Sequence, residues 1–422
     1  MRKLLLAAAT AAVLAPGAAL ATTGYFAHGY GIKAKSMGGV GIALPQDALA
    51  AASNPAGIAF VGNRIDLGAE WFTPDRGASI TGNTIGLNGT YDGNDTKSFL
   101  IPEFGYNRVI NPNWTFGVAV YGNGGMNTDY KTNPFASIGA TGSAGVDLMQ
   151  LFIAPTVAWK SGNHAIGVSL NLAYQRFKME GIQPFDNPMF SSSPGNVTNN
   201  GYDDSTGVGV RVGWTGQVSP TVTLGATYQS KTQMSEFDKY RGLFAEQGDF
   251  DIPENYGLGV AFKATPALTL AADVVQINYS DVAAVGNTAN CLFMGACQLG
   301  GSNGPGFGWQ DTTVFKIGLA YDLSPTTKLL AGYVTLDQPI PTSQTFLNIL
   351  APGVVEDHVT LGLTVAMSKT SELTVMYMHA FEQEVNGSGS IPPGMPPAGL
   401  GGGEANLRMS QDSLGVAYGW KY

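Results

Sequence analysis

From Ser413 to Tyr422 the chain reads S-L-G-V-A-Y-G-W-K-Y, with an apolar side chain at every second position. In an extended strand successive side chains point to opposite faces. Leu414, Val416, Tyr418, Trp420 and Tyr422 therefore share one face, and Gly415, Ala417, Gly419 and Lys421 the other. The pattern recurs at Trp114, Phe116, Val118 and Val120, at Ile166, Val168, Leu170, Leu172 and Tyr174, and at Val208, Val210, Val212 and Trp214. Further runs lie at 149–159, 222–228, 256–262, 315–321 and 359–367, with weaker ones near 65–72, 99–109, 268–279, 328–334 and 373–378. Together they predict fourteen strands. A soluble sandwich does not need one greasy face on strand after strand. The pattern instead predicts an all-β, antiparallel transmembrane β-barrel of the bacterial outer membrane.

The connections sort into two alternating kinds. Six are short and rich in turn residues, such as Asn111-Pro112-Asn113, Ser161-Gly162-Asn163 and Ser324-Pro325. Seven are long and irregular, near 73–97, 122–146, 180–204, 232–250, 280–311, 335–355 and 380–411. Fourteen strands with both ends in the periplasm need six periplasmic turns and seven outer loops. Trp159, Tyr174, Trp214, Tyr228 and Trp420 fall at strand ends, where amphipathic rings favour the membrane interface.

The first 21 residues read as a signal peptide: Arg2 and Lys3, an apolar stretch from Leu4 to Leu14, and the A-x-A site Ala19-Leu20-Ala21. No later stretch has 18 consecutive apolar residues, which excludes helical spans. Glycine, at 57 of 422 residues, is far above the usual share, and charged residues are only 13%, which suits a barrel better than a soluble domain. Acidic residues outnumber basic ones, 31 to 22, which argues against nucleic acid as a partner. Cys291 and Cys297 share one outer loop; in an exported chain they read as a loop-closing disulfide or as two separate thiols. No histidine lies near them to suggest a metal site. The four histidines are scattered and no G-x-S-x-G or zinc spacing occurs, so no catalytic set, cofactor or metal is predicted.

A barrel this wide is not filled by its own wall. Residues 22–62 lack strand alternation and are rich in small residues, with a short helix expected over Ala48–Ala52, started by Pro45 and stopped by Asn54-Pro55. They read as a plug inside the lumen of a barrel spanning 63–422, or as a leader without structure. By parity, Arg211, Asp273 and Lys316 face the lumen, where they either serve the ligand or, the expected role, form mutual salt bridges holding plug to wall.

The start T-G-Y-F-A-H-G-Y-G, the run M-G-G-V-G-I-A, Asn54-Pro55-Ala56-Gly57 and Asp337-Gln338-Pro339-Ile340-Pro341 resemble the FadL-type transporters of outer membranes. The resemblance implies passive carriage of long-chain fatty acids or other hydrophobic compounds, such as hydrocarbons. Outer loops would capture the ligand, a pocket in the barrel would receive it, and a kink in the third strand would release it laterally. Here that strand meets Gly122-Asn123-Gly124-Gly125, which either forms the kink or simply starts the second outer loop. Asn54, Pro55 and Ala56 either gate or only fold the hatch, with gating carried by Thr22 to Phe26. Carriers of this family pair the carboxylate with basic side chains. Arg176 matches one such position, although its parity points it outward, and Gln310 stands where a second base is expected, leaving room for a neutral ligand. The resemblance also implies contact with lipid and lipopolysaccharide, and recognition of the terminal Tyr422 by the barrel-assembly machinery. A general porin or adhesin without a plug is the alternative, and an outer-membrane lipase a more remote one.

Overall fold

The computed structural model describes residues 23–396 and 399–422. The expected signal peptide and Thr22 lie outside the described residues. Fourteen strands form the wall: β1 (Arg64–Thr81), β2 (Phe99–Val109), β3 (Trp114–Tyr130), β4 (Ala144–Ser161), β5 (His164–Glu180), β6 (Asp203–Gln217), β7 (Val222–Gln229), β8 (Asn255–Lys263), β9 (Leu268–Ile277), β10 (Thr312–Ser324), β11 (Thr327–Leu336), β12 (His358–Ala366), β13 (Ser371–Val385) and β14 (Glu404–Lys421). Each pairs antiparallel with the next, and β14 returns to β1 to close the barrel. That seam runs unbroken from Arg64 opposite Lys421 to Thr81 opposite Glu404. Two short pieces, Gly89–Asp92 on β1 and Gln233–Met234 on β6, extend the sheet among the outer loops. No helix among the described residues is long and apolar enough to cross a membrane.

The period-two pattern sets the two faces. Leu414, Val416 and Trp420 are exposed on the outside, while Ser413, Gly415 and Gly419 between them are buried. The strands run further outward than the hydropathy pattern predicts: β3 continues to Tyr130 and β5 to Glu180. Backbone ladders continue past the point where outward side chains turn polar, as at Arg176, Lys178 and Glu180. Gly122–Gly125 therefore lies within β3 and does not start the second outer loop.

The inward faces are buried because residues 23–62 lie against their inner part and outer-loop residues such as Phe244, Phe250 and Leu350 against their outer part. This segment meets the inner side of strands all round the barrel, from Glu70 and Glu103 to Asp273, Thr360 and Glu372. It contains one helical turn, α1 (Ile32–Lys35), and two 3-10 helices, Ala48–Ala52 and Pro55–Phe60. Asp47, not Pro45, caps the first: its carboxylate accepts the Leu49 amide at 2.9 Å. Asn54 stops that helix and also starts the next, its Oδ1 accepting the Ala56 amide at 3.1 Å with Pro55 in the first turn.

Candidate functional site: a wall gap and its cover

The wall is incomplete in one place. β2 pairs with β1 from Phe99 to Asn107. It pairs with β3 only from Phe104 opposite Val120 to Val109 opposite Thr115. The outer half of β3, Tyr121 to Tyr130, therefore has a free edge toward β2. On its other side β3 stays paired to β4 but slips by one residue: Gly122 faces Leu151 and Gly124 faces Gln150, leaving Asn123 as a bulge. A bulge bends its strand and re-aims the side chains beyond it. Burial alternates on odd positions up to Tyr121 and on even positions from Gly124 to Tyr130.

The N-terminal segment covers the start of this free edge. Phe26 forms a bridge with Gly124. The Ala27 amide donates to Asn123 O at 3.0 Å, and the Gly125 amide to Tyr25 O at 2.9 Å. A side chain at 124 is excluded, since a Cβ there would sit 2.0 Å from Tyr25 O. Asn123 is buried, accepting from the Tyr30 hydroxyl at 3.0 Å and donating to Gln150 Oε1 at 2.9 Å. Further out, Gly93 and Asp95 hydrogen-bond to Asp129 and cap the far end of the edge.

Beyond Ala27 the segment is tied down by charge. Lys35 pairs with Glu70, both almost fully buried, and Ser413 donates to the same carboxylate at 2.7 Å. Lys33 and Arg64 converge on Glu372, and Arg64 also binds Asp66 at 2.5 Å. Asp66 accepts the Ala48 amide at 2.9 Å. The three lumen residues found by parity also hold the segment, but through its backbone rather than through mutual salt bridges. Asp273 accepts the Gly41 and Ile42 amides at 2.8 and 3.1 Å, Arg211 donates to Ser53 O at 3.0 Å, and Lys316 to His28 O at 2.7 Å. His28 stacks on His358 at 6.1 Å. Burial, with Lys35, His358 and Lys316 nearby, holds the His28 imidazole well below the ordinary histidine range. The Asn54 amide donates to Ile42 O, Trp214 O and Thr215 Oγ1 at 2.7, 2.9 and 3.0 Å. Gly167 and Gly213 make room for it, since a Cβ at either would meet Pro55 or Asn54 within 2.5 Å. Asn54-Pro55-Ala56 is thus seated against β5 and β6, away from the gap.

The lumen is graded. Toward the periplasm its inward residues are polar or charged, as Asp66, Glu70, Glu103, Gln411 and Ser413. Toward the outside most are apolar, as Val146, Leu148, Phe177, Met179, Leu407 and Met409, with Arg76 and Gln175 buried among them. Three spaces follow one another in this upper half. An outer pocket of about 50 Å³ lies among the loops, lined only by apolar residues, including Phe135, Phe185, Phe244, Phe307, Leu347 and Leu350. A void of about 10 Å³ lies between Gly24, Tyr25, Arg76, Met126, Trp309 and Gly353. An inner cavity of about 50 Å³ is lined by Phe26, Ile42, Val275, Ile277 and Val314 together with Arg211, Asp273 and Lys316.

Neither of the expected carboxylate partners lines any of these spaces. Arg176 is on the outward face of β5, its guanidinium 4.0 Å from the Tyr202 ring and 3.9 Å from Asp204, because the ladder above the membrane keeps the parity of Leu172 and Tyr174. Gln310 is exposed, its backbone N–H donating to Pro339 O at 2.8 Å. Its neighbour Trp309, which strand periodicity did not single out, is fully buried against Tyr25 and Tyr279. Cys291 and Cys297 form a disulfide within one outer loop, with Cα atoms 5.2 Å apart. Among the described residues no cluster of metal-ligating side chains occurs.

A closed fourteen-stranded barrel with a greasy outer face has the architecture of an outer-membrane protein. The sequence from 18 to 391 matches the family model for outer membrane protein transport proteins of the OMPP1/FadL/TodX type, and the chain belongs to that family. Among solved structures it is similar to the Pseudomonas putida toluene transporter TodX (TM-score 0.67, 19% identity), a Pseudomonas aeruginosa FadL homologue (0.71, 16%) and the Ralstonia pickettii toluene transporter TbuX (0.65, 16%). Each alignment covers 94% of this chain and 99% of the other. No curated protein matches the sequence significantly.

Proposed function

We propose that this chain carries hydrophobic compounds through the outer leaflet and releases them sideways into the membrane through the gap between β2 and β3. In this reading residues 22–62 are a hatch, 63–422 the barrel, and the stretch from Thr23 to Ala27 the moving gate. One observation carries it: Phe26 both lines the inner cavity and bridges the free edge of β3. A benzene-sized guest needs a cavity of about 150 Å³, three times the space present. A ligand can therefore enter only by moving a lining residue, and moving Phe26 with its neighbour Ala27 uncovers the gap. The alternative route, down to the periplasm, leads an apolar molecule through the charged cluster around Glu70 and Glu372. Each buried CH₂ favours the apolar path by about 0.8 kcal/mol. The outward face would meet lipid and lipopolysaccharide. Tyr422, which hydrogen-bonds Asn107 O at 3.2 Å, is the proposed recognition residue for barrel assembly.

The inner cavity favours a long-chain fatty acid over a neutral hydrocarbon such as the toluene named for two relatives. Its lining has two cations, Arg211 and Lys316, against one anion, Asp273, and since all three also hold the backbone of the segment, it is the balance of charge that supports a carboxylate. Equilibrium binding of oleate and of toluene to the purified protein tests this. Lys316→Met is expected to weaken oleate about tenfold, the size of a charge-assisted hydrogen bond, and to leave toluene nearly unchanged. Tighter binding of toluene, or equal loss for both, would assign the site to neutral hydrocarbons. Sugar permeation in liposome swelling without binding of either would return the general porin.

A further inference from the structure

We propose that Trp309 is the constriction between the outer pocket and the inner cavity, and that displacing its indole is what frees the gate strand. This rests on the lateral-release reading above. Trp309 belongs to a long outer loop, yet it is fully buried, whereas loop side chains usually lie at the surface. Its neighbours place it between the two spaces. Phe307, two residues before it, lines the outer pocket, and Leu350 does so from the facing loop. On the other side the indole borders the small void with Gly24 and Tyr25. Tyr25 stacks on Phe26 at 5.4 Å, and Phe26 lines the inner cavity. Trp309 is thus the floor of the first space and the roof over the gate.

The ring is clamped rather than merely packed. A Cβ at Gly24 would approach Trp309 Cζ3 to 2.9 Å, and one at Gly353 would approach Cη2 to 2.8 Å. The gate strand and an outer loop therefore grip the indole from two sides at positions where only glycine fits. Tyr279 meets it edge-on at 5.2 Å and donates its hydroxyl to Thr23 O, tying the same ring cluster to the start of the gate. The indole N–H donates to Asn348 Oδ1 at 2.6 Å, and the Asn348 amide in turn holds Phe307 O and Gln344 O at 2.7 Å each. A ligand settling among Phe307, Leu347 and Leu350 presses on both loops that orient the indole. When the ring leaves, Gly24 and Tyr25 lose their backing and the void joins the two larger spaces. An apolar ring or alkyl chain can take the place of the indole between the Tyr25 and Tyr279 rings.

The test compares the full-length protein with Trp309→Ala and Trp309→Phe. It reads amide exchange at Ala27 and Gly125 and uptake of labelled oleate and toluene by cells. Trp309→Ala is expected to speed exchange at both amides by about tenfold or more and to raise initial uptake, because the gate has lost an aromatic neighbour. Trp309→Phe keeps a ring in place and should stay within a few-fold of the native protein. A folded Trp309→Ala protein with both amides as protected as before overturns the proposal. So does Trp309→Phe exchanging as fast as Trp309→Ala, which would credit the hydrogen bond and not the ring. Gly353→Ala, whose Cβ would sit 2.8 Å from the indole Cη2, should speed the same two amides and replaces Trp309→Ala if that variant does not fold. A native protein that takes up neither compound would defeat the lateral-release reading, while the exchange measurement still judges the role of Trp309.

Discussion

The N-terminal segment is held to the barrel in two different ways. From Ile32 to Phe60 it is fixed by buried ion pairs and by side chains that saturate its backbone: Lys35 with Glu70, Lys33 with Glu372, Asp273 on Gly41 and Ile42, and Asn54 on Trp214. From Thr23 to Ala27 it is held to the wall by a short run of backbone hydrogen bonds, one tyrosine hydroxyl and apolar packing. The wall behind the two stretches differs in the same sense. The charged stretch braces the β1–β14 seam, which is paired along its whole length, whereas the light stretch covers the one seam that opens. A plug meant only to block would be fastened throughout. Local opening is drawn from regions with few fixed contacts, and here that region coincides with the gap.

The contrast can be broken from either side. The largest effect is expected at the anchor. Lys35→Met leaves Glu70 buried without its counter-charge, which typically costs about 3–5 kcal/mol, and should lower the temperature at which the barrel unfolds on a heat-modifiability gel. Next comes the cover. Gly124→Ala forces a Cβ onto Tyr25 O, and such overpacking costs about 1–3 kcal/mol. The fold should survive, while exchange at Ala27 and Gly125 rises by about fivefold to thirtyfold for each one to two kcal/mol. Equal stability loss in the two variants would erase the distinction.

A smaller effect is expected from pH. His28 is buried neutral with a depressed pKa, so the unfolded chain takes up its proton first. Its contribution to stability is intact above about pH 6.5, the unfolded value, and is lost progressively as pH falls toward the folded one. The native protein should lose stability below that pH more steeply than His28→Gln, measured by thermal unfolding in parallel. Identical slopes would show that the histidine does not sense the seat of the segment. The smallest effect belongs to Arg176→Ala. Exposed pairs of this kind contribute at most about 1 kcal/mol, and ligand affinity should not change, because the side chain faces away from the lumen.

The barrel was legible because its signal is local. A period of two assigns each side chain to lipid or lumen, and turn residues separate the strands, so the strand number and the inward parity of Arg211, Asp273 and Lys316 could be read directly. The strand ends could not, since ladders outlast the apolar band. The bulge was half legible: the glycines around Asn123 marked it, but apolar residues stay on even positions across it. Val118 and Val120 face lipid, while Met126 and Tyr130, with the same parity, face the lumen. The ion cluster was hidden because Lys33 and Glu372 lie 339 positions apart and meet only when the barrel closes. Trp309 was hidden for a related reason. It sits in an aperiodic loop, and only the placement of Gly24 and Gly353 reveals its role.

The central claim is that ligand leaves through the gap that Tyr25 to Ala27 cover. Its most direct measurement is oleate uptake by a protein carrying Ala27→Cys and Asn123→Cys, in a background with Cys291 and Cys297 replaced by serine. The hydrogen bond from the Ala27 amide to Asn123 O sets these two positions opposite each other. Oxidation should abolish uptake and reduction should restore it, with the barrel folded in both states. Equal uptake with the disulfide formed and broken would contradict a gate at this seam.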